Sequence, residues 1–303
     1  QNGRIHAELH PLRSDDGGTV TGRFSYSNPN LQQVPARDPE IGAAIRSLFI
    51  PEDNCEWGAF DYSQQEPRLV VHYAEMMQLR GAKDAGDAFR DGDADFHQVV
   101  ADMAGIKRKQ AKNINLGLFY SMGVKKLSDS LGLTLDEGKE LFGRYHERVP
   151  FVKALSERAI RRASDQGSIR TLLGRRCRFD KWEPSQFGTR KIMDHKTAYA
   201  EHGNAIKRAF THKAMNRLIQ GSAADMTKKA MQLLYAEGII PHIQVHDELD
   251  FSIESHEQAV RIKEIMEHCV ELSVPVKVDV DLGPNWGEAK DAEKAIKHAE
   301  YVR

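Results

Sequence analysis

The sequence predicts an α+β fold in which long helices accompany one antiparallel sheet. Long stretches with helical periodicity fill the middle of the 303-residue chain, and short runs of alternating apolar residues lie near both ends. Two of these runs follow each other so closely that they predict a hairpin. Strands joined by a hairpin pair antiparallel, so this sheet does not need the crossover helices of a parallel one.

The composition is typical of a globular protein with one or two domains. Hydrophobic residues make up 40% and charged residues 29%, and the formal net charge is −1. The charge is unevenly distributed, because residues 106–112 and 161–178 are basic whereas residues 84–95 are acidic. The net charge therefore neither supports nor excludes a polyanionic partner.

Three cysteines are scattered along the chain without metal-ligand spacing. This pattern predicts a reducing compartment and argues against a disulfide framework or a zinc site. No apolar run approaches the roughly 20 residues that span a bilayer, and no signal-peptide pattern is present. Because the chain begins at Gln1 rather than at methionine, we expect it to be a piece of a longer protein.

The elements follow in order along the chain. Turn-forming residues dominate residues 1–55 and predict turns and short strands, and residues 56–62 then predict a buried strand. Residues 64–79 predict a helix, because Pro67 falls in its first turn, where no backbone donor is needed. Further helices are predicted at 95–105, 107–121, 135–149, 151–166, 194–237 (with breaks allowed at Gly203 and Gly221) and 256–272. Further strands are predicted at 241–247, 249–254 and 276–282, with a basic hairpin at 168–179.

Carboxylates lie where the predicted strands end. Asp247 and Glu248 fall between the strands 241–247 and 249–254, and Asp61 lies near the end of 56–62. If 56–62 and 241–247 are neighbours in the sheet, Asp61 and Asp247 come together. Such a pair suits Mg²⁺, and two such ions support an in-line phosphoryl displacement. Taken alone, Asp247 and Glu248 also fit a polar hairpin turn.

The helix predicted at 107–121 has cations at one end and is a second candidate for a functional site. Arg108, Lys112, Leu116 and Tyr120 recur every four residues and therefore share one face. The cations are suited to bind a triphosphate, and the aromatic ring is suited to contact a base. The alternative is a solvated basic face beside ordinary core residues.

These residues lie in motifs that resemble family A DNA polymerases, the DNA polymerase I family. The three polymerase motifs are matched, in order, by DYSQQEPR (61–68), RKQAKNINLGLFYSMG (108–123) and QVHDE (244–248). TGRFSYSNPNLQQVPAR (21–37) resembles the stretch before the first motif, and NRLIQGSAADMTKKAM (216–231) resembles the long palm helix. GPNWGEA (283–289) is similar to the end of bacteriophage members. The resemblance covers about residues 10–290.

The resemblance implies a right-hand fold, with a palm of antiparallel sheet and long helices and with helical fingers. Residues 1–63 would form the leading part of the palm with its first catalytic strand, 64–190 mainly the fingers, and 191–303 the palm with the catalytic hairpin. The thumb and any exonuclease domain precede this region in the family, so we expect them to be absent from this chain.

The resemblance also implies template-directed DNA synthesis, in which a dNTP donates its nucleotide to a primer 3′-hydroxyl by two-metal-ion catalysis. Asp61 and Asp247, with the backbone carbonyl of Tyr62, would hold two Mg²⁺ ions, and Glu248 would be an accessory carboxylate. Lys112 would bind the triphosphate and protonate the departing pyrophosphate. The other nucleotide contacts would be Arg108 and His97 on phosphates, Tyr120 beside the nascent pair, Leu116 near the sugar, and Glu66 excluding a 2′-hydroxyl.

Primer and template contacts are implied at seven positions, mostly through the minor groove or the backbone, where any sequence is accepted. They are Arg23, Asn30, Gln32, Arg37, Asn216, Gln220 and His246. Asn30 and Gln32 also fit local capping of a turn. The resemblance further implies a monomer with primer-template DNA and dNTPs as partners, no membrane attachment, and the cytoplasm of a bacterium or of a phage-infected host.

Two positions depart from the family pattern. Leu116 stands where Phe or Tyr is usual, which predicts looser nucleotide positioning and poor use of dideoxynucleotides, and His212 stands where many members carry Arg. Competing hypotheses are a metal-dependent nuclease, a non-catalytic nucleic-acid-binding module and a single-subunit RNA polymerase. The first two leave either the cationic helix or the acidic pair unexplained, and Glu66 argues against the third.

Overall fold

The computed structural model describes residues 3–13, 17–35, 38, 40–92, 95–119, 122–186, 191–290 and 296–297. Its helices are α1 (Ile41–Arg46), α2 (Gln65–Met76), α3 (Ala82–Gly92), α4 (Phe96–Ala104), α5 (Arg108–Phe119), α6 (Val124–Leu131), α7 (Leu135–Arg148), α8 (Pro150–Gln166), α9 (His195–His202), α10 (Ala214–Ala236), α11 (His256–His268) and α12 (Trp286–Ala289). Its strands are β1 (Glu8–His10), β2 (Ser25–Ser27), β3 (Glu56–Tyr62), β4 (Ser168–Arg170), β5 (Arg176–Arg178), β6 (Trp182–Pro184), β7 (Ile206–Arg208), β8 (Ile243–Val245), β9 (Glu248–Ile253), β10 (Val278–Gly283) and β11 (Ile296–Lys297). Together they confirm the α+β prediction.

The chain divides into two compact units. Unit 1 consists of residues 1–65 and 223–303, and unit 2 consists of residues 66–222. Residues 191–222 thus belong to unit 2, although the sequence analysis grouped them with the palm. The assignment of palm and fingers to these parts of the chain stays a prediction.

The main sheet lies in unit 1 and has the strand order β11-β10-β3-β9-β8, with every neighbouring pair antiparallel. The strands predicted at 56–62 and 241–247 do lie in one antiparallel sheet, but they are not neighbours in it. β8 forms a hairpin with β9, and the other edge of β9 is the one that pairs with β3. β3 therefore lies in the middle of the sheet, between β9 and β10.

One face of this sheet is apolar because alternate residues of a strand point to the same side. Phe60 and Tyr62 of β3 lie on this face, and both are at most 2% exposed. They pack with the second half of α10 and with α11. Other members of this core are Leu249, Phe251, Ile253, Val278, Leu282, Met226, Ala230, Leu234, Ile262 and Met266.

The opposite face mixes carboxylates with a smaller aromatic core. Trp57 of β3 stacks on Trp286 of α12 with ring centroids 6.0 Å apart, and Phe49 meets Trp286 edge-on at 5.4 Å. Leu31 and Ala59 complete the centre of this cluster. The short helix α12 therefore closes one face of the sheet.

The helices of unit 2 mostly begin and end where local signals predict. α7 begins with a capping box formed by Thr134 and Glu137, and Pro150 occupies the first position of α8. Helix α4 packs against both α5 and α7, and α7 packs against α8. Helices α3 and α6, each bounded by glycine, were not predicted.

The helical signal at 194–237 is divided into α9 and α10, and of the two breaks allowed there only the one at Gly203 occurs. Gly203 follows α9 with φ +57°, a conformation that glycine adopts without steric cost. The chain then forms β7, which pairs with β6, before α10 begins. Gly221 does not interrupt α10, because a glycine within a long packed helix lowers its stability without breaking it.

Within the described part of the chain, no helix is long and apolar enough to span a membrane.

Replacing Trp286 tests how much the aromatic core contributes to unit 1. Trp286 is fully buried, so Trp286→Ala should lower the free energy of unfolding by about 3–5 kcal/mol through lost burial and a residual cavity. Urea unfolding followed by circular dichroism measures this change. Tyr235→Ala is the matched control, because Tyr235 is 71% exposed and its loss should change stability by no more than about 0.5 kcal/mol. Equal effects of the two substitutions would contradict the assigned core.

Candidate active site

Carboxylates from three neighbouring strands converge at one end of the sheet. Asp61 of β3 lies opposite Glu248 of β9 and opposite Asp279 of β10. Register partners in antiparallel strands place their side chains on the same face. Asp247 lies in the turn before β9, and its carbonyl accepts a hydrogen bond of 3.4 Å from the backbone N–H of Tyr62. The predicted approach of Asp61 and Asp247 therefore occurs through the β3–β9 pairing.

We call Asp61, Asp247 and Glu248 the acidic site. Burial, followed by the charges of Asp247 and Glu248, raises the pKa of Asp61 to about 8. Its Oδ1 atom is buried and has no hydrogen-bond partner among the described residues. A buried oxygen without a donor, beside two like charges, is suited to accept a cation.

Tyr62 anchors the end of β3 in the apolar core. Its hydroxyl donates a hydrogen bond of 3.0 Å to the carbonyl oxygen of Met266 and lies 3.4 Å from Cys269 Sγ. The side chain thus points away from the acidic site, as the alternation along β3 requires. What Tyr62 contributes as a predicted metal ligand is its backbone carbonyl.

Both carboxylate oxygens of Glu248 have partners. Trp286 Nε1 donates a hydrogen bond of 3.3 Å to one oxygen, and Lys290 Nζ lies 2.5 Å from the other. Lys290 also contacts Asp281 at 3.0 Å. Burial opposes the charge on Lys290, but Glu248 and Asp281 outweigh it and raise the Lys290 pKa. Lys290 therefore stays charged and offsets part of the negative charge around Asp61, while the accessory role of Glu248 stays a prediction.

A row of amides supports the turn that carries Asp247. Gln32 Nε2 donates a hydrogen bond of 3.1 Å to Gln244 Oε1, and Gln244 Nε2 donates one of 2.5 Å to the carbonyl of His246. His246 has φ +58°, which is unusual for a residue other than glycine. Asn30 accepts a hydrogen bond of 3.1 Å from the N–H of Gln32, so local capping does occur at Asn30. These four residues form one support for the turn.

Unit 2 contains the predicted phosphate-binding residues His97, Arg108 and Lys112, which we call the basic cluster. Asp95 caps α4 by accepting a hydrogen bond of 2.9 Å from the N–H of His97, and its other oxygen accepts one from Arg108 Nε. Burial lowers the pKa of His97; Asp95 opposes this, and the charges of Lys112 and Arg108 add to it. The cluster therefore combines two exposed cations with one buried imidazole.

The remaining predicted contacts are distributed over both units. Glu66 is buried in the first turn of α2, and Asn216 and Gln220 are half-buried in the first half of α10. Arg23 is half-buried, and His212 is exposed in a 3₁₀ turn. Arg37 and Tyr120 lie outside the described residues, as does the side chain of Leu116, whose backbone belongs to α5.

Several residues that shape the site were not predicted. Lys290 follows Trp286 by four residues. This spacing places two side chains on the same face of a helix, so the sequence did contain a signal that Lys290 lies near Trp286. Asp250 is fully buried, and burial raises its pKa well above the usual value, although Trp57 Nε1 donates a hydrogen bond of 3.1 Å to it. Gln244 lies within the motif QVHDE, but neither it nor Asp95 was predicted as part of the site, because they act through partners distant in sequence or through a helix end.

The donor set fits a magnesium ion. The predicted ligands are carboxylate oxygens of Asp61 and Asp247 and the backbone carbonyl of Tyr62, and all of them are hard oxygen donors of the kind that Mg²⁺ prefers. Among the described residues, no group of three or more His, Cys, Asp or Glu side chains forms a metal site. Mg²⁺ commonly uses only one or two protein carboxylates and completes its shell with water and phosphate oxygens. The unpartnered Oδ1 of Asp61 supports this fit.

Comparisons with known proteins identify extensive similarity. The sequence model of DNA polymerase family A matches residues 1–288. The chain is 38% identical to a DNA-directed DNA polymerase of Pseudomonas phage M6, covering 95% of this chain and 47% of that protein, and 34% identical to DNA polymerase I of Pseudomonas aeruginosa, covering 95% and 30%. It spans about half, or less, of the length of these relatives.

A solved structure has the same fold. It is the POL domain of Pol1 from M. smegmatis in complex with DNA primer-template and dNTP. The TM-score is 0.75 at 30% identity, and the match covers 96% of this chain and 49% of that one.

The raised pKa of Asp61 predicts that removing its charge stabilises the protein without metal. An aspartate with a folded pKa of about 8 and an unfolded pKa of about 4 destabilises the fold increasingly as the pH rises between these values. Asp61→Asn should therefore raise the free energy of unfolding by on the order of 5 kcal/mol at pH 8, and by little below pH 4. Urea unfolding in EDTA across this pH range measures the difference.

Asp279→Asn is the matched control, because Asp279 faces the same side of the sheet but is exposed. We expect its effect to stay within about 0.5 kcal/mol at every pH. A pH-independent effect of Asp61→Asn would show that the pKa of Asp61 is similar in the folded and unfolded protein, and it would contradict the prediction.

Proposed function

The chain belongs to DNA polymerase family A, and on that premise we propose that it catalyses template-directed DNA synthesis. It would transfer a deoxynucleotide from a dNTP to the 3′-hydroxyl of a primer. The observation that carries this proposal is the acidic site. There the carboxyl group of Asp61 is buried beside Asp247, and its Oδ1 has no hydrogen-bond partner among the described residues. The similarity to the named polymerases supports the choice of reaction.

The proposed cofactor is a pair of Mg²⁺ ions held by Asp61, Asp247 and the backbone carbonyl of Tyr62. When bound, the ions would stabilise both the attacking and the leaving oxygen of an in-line phosphoryl displacement. Tyr62 would fix the end of β3 by its hydroxyl bond to the core, so that the carbonyl stays in place. Lys290 would keep Glu248 from adding its full charge to the site.

The basic cluster would bind the triphosphate. Arg108 and Lys112 would neutralise phosphate oxygens, and Lys112 would give a proton to the departing pyrophosphate. His97 would donate a hydrogen bond to a phosphate oxygen. Such a site accelerates the reaction by positioning and charge stabilisation rather than by covalent chemistry.

Selection of the substrate would involve residues near the sugar and base. Glu66 would exclude a 2′-hydroxyl and so favour deoxynucleotides, and Tyr120 would lie beside the nascent base pair. Leu116 would lie near the sugar, where an aliphatic side chain cannot stack as a ring does.

Primer-template DNA is the proposed partner, and its contacts would be largely independent of sequence. Minor-groove acceptors are shared by all base pairs, and backbone contacts hold any duplex. The residues proposed for this role are Arg23, Asn30, Gln32, Arg37, Asn216, Gln220 and His246. Gln32 and His246 belong to the support of the Asp247 turn, so they would link DNA contact to the acidic site.

Primer extension tests the proposed function. With Mg²⁺ and a labelled primer-template, the full natural chain should add deoxynucleotides in preference to ribonucleotides. Asp247→Ala should lower the extension rate about 100-fold or more, because it removes a ligand that stabilises charge in the transition state. Asp136→Ala is the control, because Asp136 is 91% exposed on α7 and should leave the rate unchanged.

Each competing hypothesis has its own outcome in this assay. Shortening of the DNA that depends on Asp247 would favour a nuclease, and preferential addition of ribonucleotides would favour an RNA polymerase. Binding of DNA without any extension would favour a non-catalytic module.

Replacing Leu116 tests its proposed place beside the sugar. Leu116→Phe should raise the insertion rate, and especially the use of dideoxynucleotides, by roughly two- to tenfold, because a ring contact contributes about 0.5–1.5 kcal/mol. Single-turnover insertion with dNTP and ddNTP measures both rates. Leu116→Met conserves volume without adding a ring and should behave like the natural protein. Unchanged kinetics for Leu116→Phe would contradict the assignment.

A further inference from the structure

Three buried side chains of unit 2 form a hydrogen-bonded row that ends at His97. Tyr145 Oη lies 2.8 Å from Asn115 Oδ1, and Asn115 Nδ2 lies 3.0 Å from His97 Nδ1. His97 is 7% exposed, and Asn115 and Tyr145 are fully buried. The three residues come from α4, α5 and α7, so the row connects three helices at the basic cluster.

The burial of Tyr145 sets the direction of this row. Within the described part of the chain, its hydroxyl meets no acceptor besides Asn115 Oδ1. If the Asn115 amide were turned over, its NH₂ group would face Tyr145 and the phenolic proton would lack an acceptor, which is disfavoured in a dry interior. Asn115 therefore accepts from Tyr145 and donates to His97.

A donor at Nδ1 fixes the protonation of the imidazole. His97 Nδ1 must offer its lone pair to Asn115, so the ring proton lies on Nε2 and the ring is neutral. Burial lowers the pKa of His97; Asp95 opposes this effect, and the charges of Lys112 and Arg108 add to it. The neutral form is thus favoured by the hydrogen bond and by the surroundings alike.

We propose that Asn115 and Tyr145 are positioning residues for the nucleotide: they hold His97 as the neutral Nε2–H tautomer, so that Nε2 donates to a phosphate oxygen beside Arg108 and Lys112. The inference rests on the proposed function for the identity of the ligand. The requirement for the Nε2–H tautomer holds for any anion, because the other tautomer would present a lone pair, rather than a donor, to it. Asn115 and Tyr145 act through His97 and do not contact the nucleotide.

The tautomer is tested first, on the protein without nucleotide. In ¹⁵N-histidine-labelled protein, long-range ¹H–¹⁵N spectra show which ring nitrogen carries the proton, and His97→Gln assigns the signal. The natural protein should have the proton on Nε2. Asn115→Asp places an acceptor opposite Nδ1 and should move the proton to Nδ1, which leaves Nε2 with a lone pair instead of a donor. A natural protein with the proton on Nδ1 would overturn the proposal.

Nucleotide kinetics provide the second readout. Asn115→Asp should raise KM for the dNTP by about tenfold or more while changing kcat far less, because a hydrogen bond to a charged group is lost in the bound state. His97→Ala should cause a similar loss. In the double variant, Asn115→Asp should add almost nothing, since its effect passes through His97. Additive losses would overturn the proposal in favour of a general structural role.

Tyr145→Phe covers the case in which a buried aspartate unfolds the protein. It removes one hydroxyl, lets the Asn115 amide turn over, and should give a mixture of both His97 tautomers with a smaller rise in KM. Tyr73→Phe is the matched control, because it removes a phenol hydroxyl that bonds to Ser222 Oγ at 2.7 Å in the same unit. It should alter neither the tautomer nor KM.

The two proposals fail in different ways. A protein with the Nε2–H tautomer, but without dNTP-dependent extension, would overturn the proposed function and with it the nucleotide half of this inference. If extension is normal and neither Asn115→Asp nor Tyr145→Phe changes KM for the dNTP, the inference is overturned and the proposed function is retained.

Discussion

A buried carboxylate in the central strand is the constraint on which unit 1 depends. Asp61 lies between Glu248 and Asp279 on one face of β3, while Phe60 and Tyr62 point into the apolar core on the other. A shift of β3 by one residue would place Asp61 among the apolar side chains under α11, at a large desolvation cost. The register of the sheet is thus fixed by the same alternation that assembles the acidic site.

Such a concentration of acids needs compensation from the rest of the unit. Lys290 supplies one cation to Glu248 and Asp281, and Trp286 supplies an indole N–H to Glu248. Both belong to the segment around α12, whose aromatic packing against Trp57 holds it on the sheet. A segment distant from β3 in sequence therefore contributes to the charge balance around Asp61.

The sequence was sufficient wherever a local pattern determines structure. The helix ends at Thr134 and Pro150 were predictable from capping rules. Asp61 and Asp247 were proposed as metal ligands from motifs that resemble those of family A polymerases, and that role stays a prediction. The sequence was insufficient where partners are distant, as for Lys290 with Glu248 or Tyr145 with Asn115, because side-chain pairing depends on tertiary packing. Within 194–237 a break at Gly203 was allowed, but strand β7 was not predicted for the same reason, because its pairing with β6 outweighs helical periodicity.

The ion pair between Arg108 and Asp95 has a consequence for selectivity by charge. An anion that approaches Arg108 meets a guanidinium already engaged by a carboxylate, so it must compete with Asp95 or share the arginine with it. A weakly charged anion gains little from that exchange, whereas a polyanion that also engages Lys112 gains from two cations at once. In the proposed nucleotide site, the resident carboxylate would thereby set a threshold of negative charge, and this discrimination would precede recognition of a base.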